Sequence, residues 1–74
     1  MSLTEALRAL PLDGVYSVAR LFPLAQDGRS EFSKSLASQV AHIGTRHGRR
    51  FSITSFDGLL DTEIARCSII RRVA

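Results

Sequence analysis

The chain has 74 residues, of which 45% are hydrophobic and 23% are charged, and its formal net charge is +3 at pH 7. This composition is that of an ordinary globular protein, and the length predicts a single domain over residues 1–74. The one cysteine excludes an intrachain disulfide, the short apolar runs exclude a membrane span, and the N-terminus lacks the basic region of a signal peptide, so we expect a cytoplasmic protein.

The first predicted elements are a short helix and a strand. Ser2 and Glu5 have the spacing of a capping box, which predicts a helix over residues 3–10. The segment "VYSVARLF", residues 15–22, is rich in β-branched and aromatic side chains and predicts a strand. Residues 23–30, "PLAQDGRS", contain proline and glycine and are predicted to form a loop.

The main helix is predicted to lie between Ser30 as its N-cap and Gly48 as its C-cap. At 100° per residue its large apolar side chains fall on one stripe, which we expect to pack on a sheet. These side chains are Phe32, Leu36, Val40 and Ile43. The opposite side of the helix is polar and includes Lys34 and His42.

After Arg50 the hydrophobic period changes to two, which indicates strands. "RFSITSF" at residues 50–56 predicts one strand, and "IARCSIIRRV" at residues 64–73 predicts the last. Asp57-Gly58 favours a hairpin turn between them, with a longer or bulged connection through "GLLDTE". The predicted fold is therefore α+β: a short N-terminal helix, then β-α-β-β, with one amphipathic helix on a small, mainly antiparallel three-stranded sheet.

The two sheet faces are predicted to differ. Phe51, Ile53, Ala65, Cys67 and Ile69 are expected to face the helix. The other face would then present the alternate residues: Arg50, Ser52, Thr54, Phe56, Ile64, Arg66, Ser68, Ile70 and Arg72. Its apolar members, Phe56, Ile64 and Ile70, are candidate interface residues. Either the helix over residues 3–10 covers part of this face, or the face binds a second copy or another protein.

The positive charge is concentrated in the second part of the chain. Residues 1–43 are balanced, and residues 44–74 carry the whole excess of +3. Candidate contacts to phosphate or to an acidic partner are Arg46, His47, Arg49, Arg50, Arg66, Arg72, Lys34 and His42. Such a cluster also arises without a ligand, because cations at a helix C-terminus complement its exposed carbonyls and because a GC-rich genome favours arginine.

The sequence contains no catalytic or metal-binding pattern. His42 and His47 are five residues apart, about 140° around a helix, whereas paired metal ligands are three or four apart. Cys67 lies on the strand face expected to be buried, where a thiol is inert. We therefore expect no enzyme activity, no metal, no cofactor and no small-molecule substrate.

Three stretches, "ALRALPLDGVYSV", "GRRFSI" and the closing "IIRRV", resemble small phage-encoded β-α-β-β proteins. The resemblance implies a small regulatory protein that acts by binding, and no functional residue is carried over from it. The sequence thus predicts a non-enzymatic regulator that contacts DNA through a basic helix end and sheet edge. The alternative is an inhibitor or adaptor that docks on an acidic host protein surface, for example in transcription or defence machinery; a homodimer is also possible.

Overall fold

The computed structural model describes residues 2–25 and 27–74 and has an α+β architecture, as predicted. The elements are α1 (Leu3–Ala9), β1 (Val15–Pro23), α2 (Arg29–His47), β2 (Phe51–Leu60) and β3 (Glu63–Arg72). Gln26, in the loop predicted over residues 23–30, lies outside the described residues. Among the described residues no helix combines the length and the apolar character needed to cross a membrane.

Local side-chain and backbone chemistry determines where the helices begin and end. The Ser2 hydroxyl accepts a hydrogen bond from the amide of Glu5 at 3.2 Å, which confirms the predicted N-cap of α1. The prediction of Ser30 as the N-cap of α2 is wrong, because the helix begins at Arg29 after Gly28. The carboxylate of Asp27 takes over the capping role by accepting the Arg29 amide at 3.1 Å.

The three strands form one antiparallel sheet in the order β1-β3-β2. The turn predicted at Asp57-Gly58 is wrong, since both residues lie within β2 and pair with Arg66 and Ala65 of β3. The chain instead turns after Leu60, where Asp61 has a φ of 47°. Aspartate tolerates this left-handed conformation better than most residues, so a tight connection forms here without glycine.

Both helices pack on the same face of the sheet. The buried core combines side chains from α1, α2 and β3: Leu7, Leu36, Val40, Ile43 and Ile70. The predicted apolar stripe of α2 is confirmed, with Phe32 packed against this core at its half-buried edge. The fully buried Leu7 of α1 meets the same core, which excludes the alternative in which the first helix covers the opposite face.

The orientation of β3 is opposite to the one predicted. Ile70 is completely buried and pairs with Tyr16 of β1 and Ile53 of β2 on the helix side. The helix side of β3 is thus formed by Ile64, Arg66, Ser68, Ile70 and Arg72. In "IARCSIIRR" isoleucines occur among the odd-numbered and among the even-numbered residues, so the hydrophobic pattern does not decide which set faces the helices. Choosing the wrong set exchanges the two faces of the strand. Ile70 is therefore core and Ile64 is half-buried on the same side, so the assignment of both to an exposed interface on the opposite face is wrong.

The face of the sheet away from the helices, which we call the open sheet face, carries the other alternation of each strand. Its members are Val15, Ser17, Ala19, Leu21, Pro23, Ser52, Thr54, Phe56, Gly58, Leu60, Glu63, Ala65, Cys67, Ile69 and Arg71. Phe56 lies on this face with 56% of its surface exposed. Cys67 is half-buried on it, so the expectation that this thiol faces the helices is wrong.

Candidate functional site

Six arginines lie at one end of the molecule, where both helices end, β2 begins and β3 ends. We call this end the arginine pole, and its members are Arg8, Arg46, Arg49, Arg50, Arg71 and Arg72. The chain has ten lysine and arginine residues in all, so the pole contains more than half of them. The structure thus brings together Arg46, Arg49, Arg50 and Arg72 from the predicted set.

Two glycines of α2 position the start of β2 at the pole. Gly48 ends the helix with a φ of 65°, in the left-handed region that glycine adopts most easily. The amides of Gly48 and Arg49 both donate to the carbonyl of Gly44. A Cβ on Gly44 would lie 2.6 Å from the carbonyl oxygen of Arg49, so only glycine allows this close approach. The tight ending sends Arg49 toward α1.

The side chain of Arg49 is used within the protein. Its Nη1 donates to the carbonyl oxygens of Leu7 at 3.2 Å and Leu10 at 3.3 Å, and also to that of Arg8. Arg72 donates from Nη1 to the same Leu10 oxygen at 3.0 Å. Terminal carbonyls of a helix have no partner within the helix, so both guanidinium groups cap α1. Their charge remains at the pole, while their Nη1 groups are hydrogen-bonded to the end of α1.

The other arginines of the pole extend toward solvent. Arg8, Arg46 and Arg50 are exposed, and within residues 2–25 and 27–74 none of their side chains forms an ion pair or donates a hydrogen bond. Arg71 is exposed as well and pairs with Asp13 at 3.1 Å. An exposed pair of this kind contributes little and opens readily. The outward groups can therefore reach an external anion.

Both histidines lie near the end of α2. His47 is its last residue and is half-buried, whereas His42 is exposed one turn before Arg46 on the same side of the helix. Lys34 is also exposed, but it precedes Arg46 by twelve residues, which is about 18 Å along a helix. His47 thus belongs to the pole, His42 borders it and Lys34 lies outside it.

Arg66 lies at the opposite end of the sheet in an ion-pair network. Its Nε donates to Asp57 at 2.8 Å, and Arg29 donates to the same carboxylate at 2.9 Å. Arg29 also pairs with Asp27 at 2.6 Å. A further nitrogen of Arg66 donates to the hydroxyl of Ser33 and to the backbone of α2. Arg66 therefore ties β2 and β3 to the start of α2 and does not join the predicted anion site.

The network lowers the pKa of both its carboxyl groups. The hydrogen bond from Arg66 is the largest cause at Asp57, and the hydrogen bond from Arg29 is the largest cause at Asp27. The same contacts raise the pKa of Arg29 and Arg66. These shifts favour the charged forms and fit a structural role for the network.

The charges are polarised along the long axis of the molecule, which measures 40 Å. The arginine pole combines six arginines with one acidic side chain, Asp13, and Glu5 lies one turn before Arg8 in α1. The other end, around the start of α2 and the β2–β3 turn, carries most of the acidic residues: Asp27, Glu31, Asp57, Asp61 and Glu63. Four cations, Arg20, Arg29, Lys34 and Arg66, accompany them. Within residues 2–25 and 27–74, an anionic partner therefore meets a strongly positive surface only at the pole.

A groove of about 700 Å³ lies beside the pole, between α2 and β2. Arg49 and Arg50 line one part of it, and its apolar lining includes Val40, Ile53 and Val73. Val73 is 46% exposed, so the pole contains apolar surface as well as charge.

Two members of the pole, Arg8 and Arg71, were missed by sequence reasoning. The position of Arg8 depends on α1 folding back against Arg49, a long-range contact with no local pattern. Arg71 was missed because β3 was predicted with its faces exchanged.

Comparisons with protein-family models, curated proteins and solved structures found no match to this chain.

Proposed function

We propose that this chain is a small non-enzymatic regulatory protein that binds the phosphate backbone of DNA with its arginine pole. The observation that carries the proposal is the gathering of six of the ten lysine and arginine residues at a single end of the molecule, against five acidic residues at the other end. Guanidinium groups suit phosphate because their donors match its oxygens in pairs.

In the proposed mechanism some arginines of the pole are structural and others contact phosphate. Arg49 and Arg72 hold α1 in place and add positive potential, while Arg8, Arg46, Arg50 and Arg71 contact phosphates directly. Contacts to phosphate carry no sequence information, so we expect little preference between duplex sequences. Binding would occlude the duplex to other proteins.

Binding through four phosphates has a defined salt dependence. Four neutralised phosphates release enough counterions to weaken affinity about 150-fold between roughly 50 and 200 mM salt. Two phosphates give about 12-fold over the same interval. The slope of log affinity against log salt concentration therefore measures how many phosphates the arginines of the pole neutralise.

The second candidate is docking on an acidic protein surface by the same pole. The groove between α2 and β2 favours it, because Ile53 and Val73 supply apolar contact area beside Arg50. Protein interfaces combine arginine with apolar side chains in this way, whereas a phosphate backbone offers no apolar group to fill such a groove.

The test is anisotropy of a labelled duplex across a salt series, with wild-type protein and an Arg46→Ala/Arg50→Ala variant. We expect the double substitution to lower the salt slope by about 1.8. The matched control is Arg20→Ala/Lys34→Ala, which removes the same charge from the other end of the molecule and should leave the slope close to wild type.

The outcomes separate the candidates. Equal losses in the two double variants would mean that net charge alone attracts the duplex, and the proposed site would be wrong. Absence of duplex binding at low salt, together with binding to an acidic polypeptide such as polyglutamate that is weakened by Arg46→Ala/Arg50→Ala, would favour the second candidate.

A further inference from the structure

We infer that the open sheet face is the interface of a homodimer, in which β3 packs across β3 of a second copy in antiparallel orientation. The two helices lie on the other side, so within residues 2–25 and 27–74 no element covers this face. The open sheet face is remote from α2, and Arg71 is the residue that it shares with the arginine pole, so dimer formation is tested without nucleic acid.

The first argument is the apolar character of the face. Val15, Leu21, Phe56 and Leu60 all lie on it, and each is more than half exposed. They flank Ala65, Cys67 and Ile69 of the central strand. Antiparallel sheets that face water alternate apolar and polar residues, with the polar side outward. Here the outward side is apolar as well, which indicates a surface that is buried in an assembly.

The second argument is that the accessible surface and the radius of gyration are both large for a chain of 74 residues. Its accessible surface is 5059 Å², against about 4,500 Å² for a compact monomer of this length. Its radius of gyration is 13.2 Å, against about 11 Å for a compact domain. A sheet covered on one side only has both properties.

The third argument is the area available. Ten-residue strands spaced as in ordinary sheets give a face of roughly 33 by 14 Å. Stacking two such faces removes roughly 1,000 Å² of accessible surface, near the lower bound for a specific dimer. We therefore expect reversible association at micromolar or higher concentration.

The fourth argument selects the orientation. Glu63 and Arg71 are the charged residues of the open sheet face, and they lie at opposite ends of β3. Antiparallel stacking places Glu63 of one copy over Arg71 of the other, twice per dimer, whereas parallel stacking places like charges together. Charge complementarity therefore favours the antiparallel arrangement.

This register makes a prediction about Cys67. The residue lies midway along β3, four positions from both Glu63 and Arg71. Antiparallel pairing of the two charges thus puts Cys67 of one copy opposite Cys67 of the other, at the two-fold axis. Facing sheets lie about 10 Å apart, too far for unstrained disulfide geometry but within reach of a short bifunctional thiol reagent.

The experiment is sedimentation equilibrium of the chain without nucleic acid, from micromolar to submillimolar concentration. We expect wild type to reach twice the monomer mass and Phe56→Ser to weaken association at least about tenfold. The matched control is Leu59→Ser, since Leu59 is 71% exposed on the helix side of the same strand and should leave the dimer intact. Circular dichroism verifies that each variant is folded.

Two further variants test the orientation. Glu63→Arg should weaken the dimer, and the double exchange Glu63→Arg/Arg71→Glu should restore most of the loss. A short bis-maleimide should link wild-type chains through Cys67 and should not link Phe56→Ser chains. Monomer mass at every concentration, or equal effects of Phe56→Ser and Leu59→Ser, would overturn the inference. A dimer that the double exchange weakens further, or that the reagent fails to link, would overturn the antiparallel register.

Discussion

Arg49 donates from Nη1 to the carbonyl oxygen of Leu10, 39 positions earlier in the chain, at 3.3 Å. This contact joins the end of α2 to the end of α1, and it changes the role of a residue that the sequence assigned to phosphate. A guanidinium group that caps a helix cannot also direct the same donors outward. The arginine pole thus contains two structural arginines, and its outward arginines lie around them.

Replacing Arg49 should affect stability more than replacing Arg46. Arg49→Ala removes the charged donor to the carbonyls of Leu7, Arg8 and Leu10, although Arg72 still donates to Leu10, and hydrogen bonds to a charged group are worth about 1.5–3 kcal/mol. Arg46 is exposed, so Arg46→Ala should stay within about 0.5 kcal/mol of wild type. Urea denaturation of both variants measures the difference. Equal stabilities would show that the Arg49 contact contributes nothing.

The orientation of β3 can be tested at Ile70. Because its side chain is completely buried, Ile70→Ala should lower the free energy of unfolding by about 2–5 kcal/mol. Leu59→Ala removes a comparable side chain that is 71% exposed and should cost far less. Thermal unfolding followed by circular dichroism compares the two. A small effect at Ile70 would contradict the burial of its side chain and would favour the opposite orientation of β3.

The two glycines of α2 should respond differently to alanine. Gly48→Ala meets open space, so its cost comes from the left-handed backbone and should be about 1–2 kcal/mol. Asparagine tolerates this conformation better, so Gly48→Asn should cost less. Gly44→Ala instead forces the backbone of Arg49 aside and should also loosen α1. Amide hydrogen exchange in α1 should rise in Gly44→Ala but not in Gly48→Asn.

Acid should weaken the ion-pair network at the start of α2. The folded pKa values of Asp27 and Asp57 lie below the ordinary 3.8 because Arg29 and Arg66 hydrogen-bond to the charged carboxylates. Their stabilisation is thus present above pH 4 and lost as pH falls through the lowered folded values. Asp57→Asn should flatten the acid limb of a plot of urea midpoint against pH. Asp61→Asn, in the β2–β3 turn, removes the same charge outside the network and is the matched control.

Local patterns in the sequence predicted most of the fold. The Ser2 cap, the buried stripe of α2 and the left-handed Gly48 all follow from neighbouring residues, and all three are confirmed. The orientation of β3 did not follow, because isoleucine occupies both alternations and burial depends on where the helices pack. The turn was placed too early because Asp57-Gly58 is a strong local turn signal, whereas the pairing of Asp57 with Arg66 is non-local.

The candidate site was predicted only in part, for the same reason. Arg46, Arg49 and Arg50 lie within five consecutive residues, so the sequence alone predicts that they are grouped. The contributions of Arg8 and Arg71 depend on the return of α1 and on strand register. The separation of Arg66 from the group depends on its contact with Asp57.

The most direct test of the proposed binding site is an NMR titration of the labelled protein with a short duplex at low salt. We predict that amide and arginine side-chain resonances shift at residues 8–14, 44–50 and 71–73, which form the arginine pole. Resonances of Lys34 and of Leu21 and Leu60, at the far end of the open sheet face, should stay in place. Shifts that centre on the middle of α2, or no shifts at all, would contradict binding of phosphate by the arginine pole.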